Sequence, residues 1–196
     1  KYLKGYKPTG QFQPQVTQGL ADEYLHLMAR NNELMNVFES LALNVSNAEV
    51  LSHPVRDVKP DVLRPIMQAA RQQKRLDCDY VSLNHPDREG RIIVPHTLVY
   101  TGLRWHVRAW CEKNQEYRDF VLSRFRDTPD IMDESEHGAA DDTEYNTEVT
   151  IRITPDPRLT SAQQEVIEID YGMQGGALCI TTRGKLVSYA LKLLNV

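Results

Sequence analysis

"GLRWHVRAWCEKNQEYRDFVLSRF", residues 102–125, reads as two strands joined by a polar turn, with arginine or histidine at nearly every second place. Alternate residues of a strand face opposite sides. Trp105, Val107, Ala109 and Cys111 then share an apolar face, and Arg104, His106, Arg108 and Trp110 share the other. In the second strand Arg118, Phe120, Leu122 and Arg124 fall on one side. Between 104 and 126 stand six Lys or Arg and three Asp or Glu, in a chain whose net charge is -4. Arginine forks grip phosphate or carboxylate and stack on rings, so such a face suits a nucleotide. Surface strands also carry arginine for solubility and for cross-strand pairs, here with Glu112, Glu116 or Asp119.

Working outward, "RLDCDYVSL" and "RIIVPHTLVY" add two more strands, separated by the turn "NHPDREG". Pro95 lacks a donor, so it implies a sheet edge or a bend. Ahead of them, "VKPDVLRPIMQAARQQKR" predicts a helix with Val62, Ile66 and Ala69 or Ala70 inward. A further short helix is expected from Thr17, with Leu20, Tyr24, Leu27 and Met28 on one face. Short strands with tight connections favour a small bent barrel over an open parallel sheet. Residues 127–148 hold nine carboxylates and no Lys or Arg, the composition of a solvated linker. Strand, helix, strand, helix follow it, ending in a stripe of Leu186, Tyr189, Ala190 and Leu193. The fold class expected is α+β, in four parts: a helical arm over 1–60, a barrel over 61–130, an acidic linker over 131–147, and a small α+β domain over 148–196.

The totals exclude several classes. The acidic net charge argues against a surface coated for nonspecific binding to nucleic acid or anionic membrane. No apolar run is long enough to span a bilayer and no secretory pattern opens the chain, so a cytoplasmic location is expected. Cys78, Cys111 and Cys179 form no CxxC or Cys/His cluster and read as buried thiols, without metal. Asp79, Ser82 and His96 lie near one another in sequence, but there is no nucleophile elbow, Walker loop or HExxH, and nothing asks for a cofactor. The chain is read as a non-enzyme.

The segment 62–126 resembles the WYL domain, a bacterial sensory module with an Sm-like or SH3-like barrel. "RLDCDYVSL", "IVPHTLVYTGLRWHVRAWC" and "YRDFVLSRF" carry the likeness, and the eponymous triplet appears as Trp105-His106-Val107. "RWHVRA" followed by "RDFVLSR" is similar to the WYL regulators found beside anti-phage defence systems. The resemblance implies a regulator whose winged helix-turn-helix would precede Lys1, whose C-terminal extension forms a homodimer, and whose barrel binds a nucleotide or oligonucleotide effector that controls operator DNA binding. It places Tyr80, Ser82, His96, Trp105, Arg108, Arg118 and Arg124 in the ligand pocket. The arginines would clamp phosphate, Tyr80 and Trp105 would stack or line the wall, and Ser82 and His96 would hydrogen-bond a base or sugar. Trp105 stays open between pocket and core, because alternation sets it on the apolar face. The alternative function is a constitutive barrel binding single-stranded nucleic acid without a regulatory role.

Overall fold

The computed structural model describes Leu25, residues 56–84 and residues 86–194. The helix expected from Thr17 and most of the arm over 1–60 lie outside the described residues. The chain divides into the units Lys1–Val55 and Arg56–Val196, and the second holds every element named below.

Helix α1 (Pro60–Gln72) starts on a proline, whose missing N–H costs nothing at that position. It buries Val62, Ile66 and Ala69, the inward stripe its spacing predicts. Four antiparallel strands follow: β1 (Lys74–Tyr80), β2 (Glu89–Tyr100), β3 (Trp105–Cys111) and β4 (Glu116–Val121). A fifth, β5 (Asp130–Glu134), pairs with β1, giving the order β4-β3-β2-β1-β5. Leu76, Cys78, Tyr80, Ile93, Val107, Ala109, Cys111 and Phe120 face α1 and form the core with it. Burial pushes the Cys78 thiol up to about 12. Cys179 is exposed, so only Cys78 and Cys111 fit the expectation of buried thiols.

Instead of the small barrel expected, the sheet is open, since β4 and β5 do not pair among the described residues. "YRDFVLSRF" is a strand only to Val121. The chain then turns through a 3-10 segment, Leu122–Arg124, and meets β1 at the single bridge Tyr80–Phe125. Pro95 sits inside the sheet, not at its edge, and β2 bulges beside it: Pro95 opposes Ala109 and Thr97 opposes Arg108. His96 is the extra residue, and a bulge of this kind re-aims a side chain.

The acidic stretch is not a solvated linker. It forms β5, which extends the sheet as an edge strand, and then a 3-10 turn at Ala139–Asp141 and a one-turn helix α2 (Thr143–Asn146) that cover the far face of the sheet. The reason is that its charges have partners. Arg75 pairs with Asp133 (2.9 Å) and Glu112 (2.6 Å), holding both carboxyls below the usual range. Tyr117 donates to the Gly138 carbonyl (2.7 Å). Above all, Asp142 is 1% exposed and takes Arg108 Nε at 2.7 Å and Nη2 at 3.2 Å. Arg108, 0% exposed, also reaches Glu144 (3.2 Å) and its cross-strand neighbour Asp119 (3.3 Å). His96 Nε2 bonds Asp142 (3.2 Å) and Nδ1 bonds Thr97 (2.8 Å).

Beyond residue 147, β6 (Glu148–Ile153) and β7 (Leu178–Arg183) pair as a two-stranded antiparallel sheet. Helix α3 (Ser161–Asp170) lies between them in sequence, opened by a capping box of Thr160 and Gln163. Gly175 and Gly176 supply the positive φ of the turn before β7. Helix α4 (Val187–Leu193) returns to the large sheet, where the Tyr189 hydroxyl donates to Asp119 (3.3 Å) and its ring meets His106 at 5.4 Å. No described helix is long and apolar enough to cross a membrane.

Burial alone would raise the Asp142 carboxyl, but the Arg108 and Tyr145 hydrogen bonds outweigh it and hold it below the usual range. Burial lowers His96 and His106. All three shifts are downward, so the unfolded chain binds more protons and stability falls as pH falls. The urea midpoint should drop below pH 6.5, the ordinary histidine value, and again below 3.8, the ordinary aspartate value. A midpoint constant from neutrality to about pH 5 would contradict this placement of the histidines. Asp142→Ala, which strands a buried guanidinium, should cost about 3–5 kcal/mol in the same measurement.

Candidate ligand-binding cleft

The end of β1, the start of β2, the β3–β4 turn and the 3-10 segment converge at one corner of the sheet. Tyr80 closes β1 with its ring packed edge-on between Phe120 (5.0 Å) and Phe125 (5.3 Å). Its hydroxyl accepts the Val121 N–H (3.1 Å), fixing the point where β4 ends. The 3-10 segment is pinned by Val81 N–H to the Arg124 carbonyl (3.2 Å) and Arg126 N–H to the Asp79 carbonyl (3.0 Å). Because the segment departs from strand geometry, Arg124 is carried back beside Ser82. On β4, Phe120 enters the core while Arg118, two residues earlier, reaches the open end.

These walls enclose a cleft of about 450 Å³, within the range of small-molecule sites. Its cations are Arg91, Lys113, Arg118 and Arg124, and its carboxylates are Glu89 and Asp119. They differ in how firmly they are held. Arg91 is 10% exposed and tied to Glu89 (2.7 Å) and Asn114 (3.1 Å). Lys113 pairs with Glu89, and Arg118 with Glu116 at 3.3 Å, a half-exposed pair of small energetic weight. Arg124 is partly buried, and its guanidinium has no hydrogen-bond or ion-pair partner among the described residues. The two oxygens of Asp119 point to Arg108 and Tyr189. The lining therefore carries net positive charge with one uncommitted guanidinium, the electrostatics of an anion site.

Of the seven residues expected in a pocket, Tyr80, Ser82, Arg118 and Arg124 line this cleft. Tyr80 offers only a ring edge, being 6% exposed. Arg108 and His96 do not belong: both lie on the opposite face of the sheet, bonded to Asp142, so phosphate clamping by Arg108 and base contact by His96 are corrected to structural roles. Placing His96 there also separates it from Ser82 and Asp79. Trp105 is neither pocket nor core; it is 47% exposed at the end of the β2–β3 hairpin, with its ring 5.1 Å from Tyr100. Strand parity for β3 was right, but its polar face is covered, leaving His106 5% exposed. Sequence reasoning missed Arg91, Lys113 and Asn114. Arg91 shares strand parity with the core residue Ile93, and an arginine at an inward position was the available signal.

The WYL domain family matches residues 61–128, and the family described as "BrxR transcriptional regulator, C-terminal dimerization domain" matches residues 148–196. The DNA-binding transcriptional repressor CapW of Escherichia coli (strain KTE188) is 33% identical, covering 97% of this chain and 64% of its own. The repressor of the same name from Stenotrophomonas maltophilia is 30% identical with the same coverages, and that from Pseudomonas aeruginosa is 37% identical over 72% of this chain and 47% of its own. The chain thus spans 64% of the length of the first two relatives. Among solved structures, proteasome accessory factor B/C of Arthrobacter aurescens is similar with TM-score 0.39 and 16% identity, over 79% of this chain and 26% of that one.

Arg124 and Arg108 should separate cleanly on mutation. Arg124→Ala, which removes a side chain without a hydrogen-bond or ion-pair partner among the described residues, should change unfolding free energy by no more than about 0.5 kcal/mol. Arg108→Ala should destabilise by several-fold more, because it leaves Asp142 buried and unpaired. Equal thermal midpoints for the two variants would show that the buried cluster is misassigned.

Proposed function

This chain carries a WYL domain and a BrxR-type C-terminal dimerisation domain, and from that premise we propose that it is part of a transcriptional regulator, senses a nucleotide or short nucleic-acid effector and pairs as a homodimer. The observation that carries the reading is Arg124, a partly buried guanidinium without a partner among the described residues, which lines a cleft of about 450 Å³ together with Arg118. A guanidinium left unpaired in a concave site favours an anionic guest. Arg91 and Lys113, fixed by Glu89, add positive potential without needing to move. Asn84 and Asn114 supply donors and acceptors for a base edge.

The CapW relatives are DNA-binding transcriptional repressors by name. We assign the same activity to the protein of which this region is part, with operator contact made by the share of the relatives' length that the match leaves out. An effector can switch such a protein only by binding one state of the dimer better than the other. The non-enzymatic reading is supported by the same relatives.

The dimer has support in the C-terminal region. No residue of α3 is buried, and Val166 (65%) and Ile169 (74%), one helical turn apart, are exposed. A two-stranded sheet with one helix is too thin to bury its own apolar surface. A second copy laid over this face would complete the layer.

Two experiments test the proposal. Anisotropy of a short labelled single strand titrated with this protein should saturate, with log affinity falling against log salt at a slope of a few phosphates. Arg118→Ala combined with Arg124→Ala should abolish the signal; no binding at low salt would refute the nucleic-acid effector. Sedimentation should show a dimer that Ile169→Asp converts to monomer, and a dimer unchanged by that variant would place the interface elsewhere.

A further inference from the structure

Two hollows meet at Arg124. Beside the cleft lies a second cavity of about 470 Å³, lined by Val81, Leu83, Pro86, Arg88 and Arg126, and sharing Ser82 and Arg124 with the first. Their chemistries differ. The cleft is polar, with Asn84, Asn114 and Arg118, whereas the second cavity has an apolar floor in Val81, Leu83 and Pro86. The other arginines of the second cavity are occupied. Arg88 bonds Asp127 (2.6 Å), and Arg126 donates to the Ser123 (3.2 Å) and Phe125 (3.5 Å) carbonyls. Arg124 is thus the shared wall and the cation left open there.

Each cavity has room for one small aromatic guest by the usual measure of ligand sites, roughly 300–1,000 Å³. A phosphodiester is a single negative charge between two bases, and the protein shows a single open guanidinium between two cavities. Resting on the nucleotide reading above, we propose that the effector is at least two nucleotides long, with its linking phosphate at Arg124. One base enters the polar cleft beside Arg118 and Asn114, and the other lies over Leu83 and Pro86. The shared requirement is two bases joined by a phosphodiester, whether the molecule is a linear fragment or a closed ring.

Calorimetric titration of the protein with thymidine and adenosine monophosphates, the linear dinucleotides TpT and ApA, and a cyclic dinucleotide decides this. A dinucleotide should bind on the order of tenfold tighter than its mononucleotide, since the second base then binds intramolecularly. The mononucleotide carries more charge, so electrostatics alone predicts the reverse order. Leu83 is 83% exposed, so Leu83→Ala should leave the fold intact, and it should bring the dinucleotide's affinity down toward the mononucleotide's. Tight binding of the ring with a silent linear form keeps the two-base rule and identifies the ring as the source. Equal affinity for mononucleotides and dinucleotides, or a Leu83→Ala variant that keeps the full dinucleotide advantage, overturns the inference and leaves the nucleotide reading standing. Absence of any nucleotide binding at low salt overturns both.

Discussion

The bidentate contact between Arg108 and Asp142 organises the large sheet. Arg108 sits in the interior strand β3, fully buried, on the face away from α1. A charge there is expensive unless its partners are fixed and close, and here three carboxylates surround it, one of them also bonded to His96. Satisfying that one guanidinium draws residues 139–146 down onto the sheet. An acidic stretch that composition reads as solvated thereby becomes a structural layer, and the histidine bulged out beside Pro95 becomes a member of the same network.

Arginine serves two purposes in this protein, separated by the count of its partners. Arg75 and Arg108 each bind two or more carboxylates and stitch distant segments together. Arg118 has one weak partner, and Arg124 has none among the described residues. The first kind spends its charge on the fold; the second leaves it available to a ligand. Arg91 lies between, anchored by Glu89 and Asn114 yet bordering the cleft, so it contributes potential more than contact.

The cleft and the C-terminal region share one carboxylate. Asp119 borders the cleft, and its oxygens receive Arg108 from β3 and the Tyr189 hydroxyl from α4. Tyr189 also covers His106, which is why the triplet position of β3 is closed to solvent. Packing of α4 against the sheet and the shape of the cleft wall therefore depend on the same short segment of β4.

Local pattern determined the parts of this protein that periodicity can express. The inward stripe Val62, Ile66 and Ala69 on α1, the alternation of β1 to β4, the glycine turn before β7 and the strand-helix-strand-helix order at the end all follow from spacing and turn chemistry. A family likeness names Tyr80, Ser82, Arg118 and Arg124 together, and these four line one cleft. Only the tertiary structure decided which arginine is buried among carboxylates and which is left open in a cleft. Parity says which side of a strand a residue faces, but not what lies over that side. Asp142 is 34 residues from Arg108, and no local rule pairs them. For the same reason the acidic stretch looked unfolded: the cation that neutralises it comes from another strand.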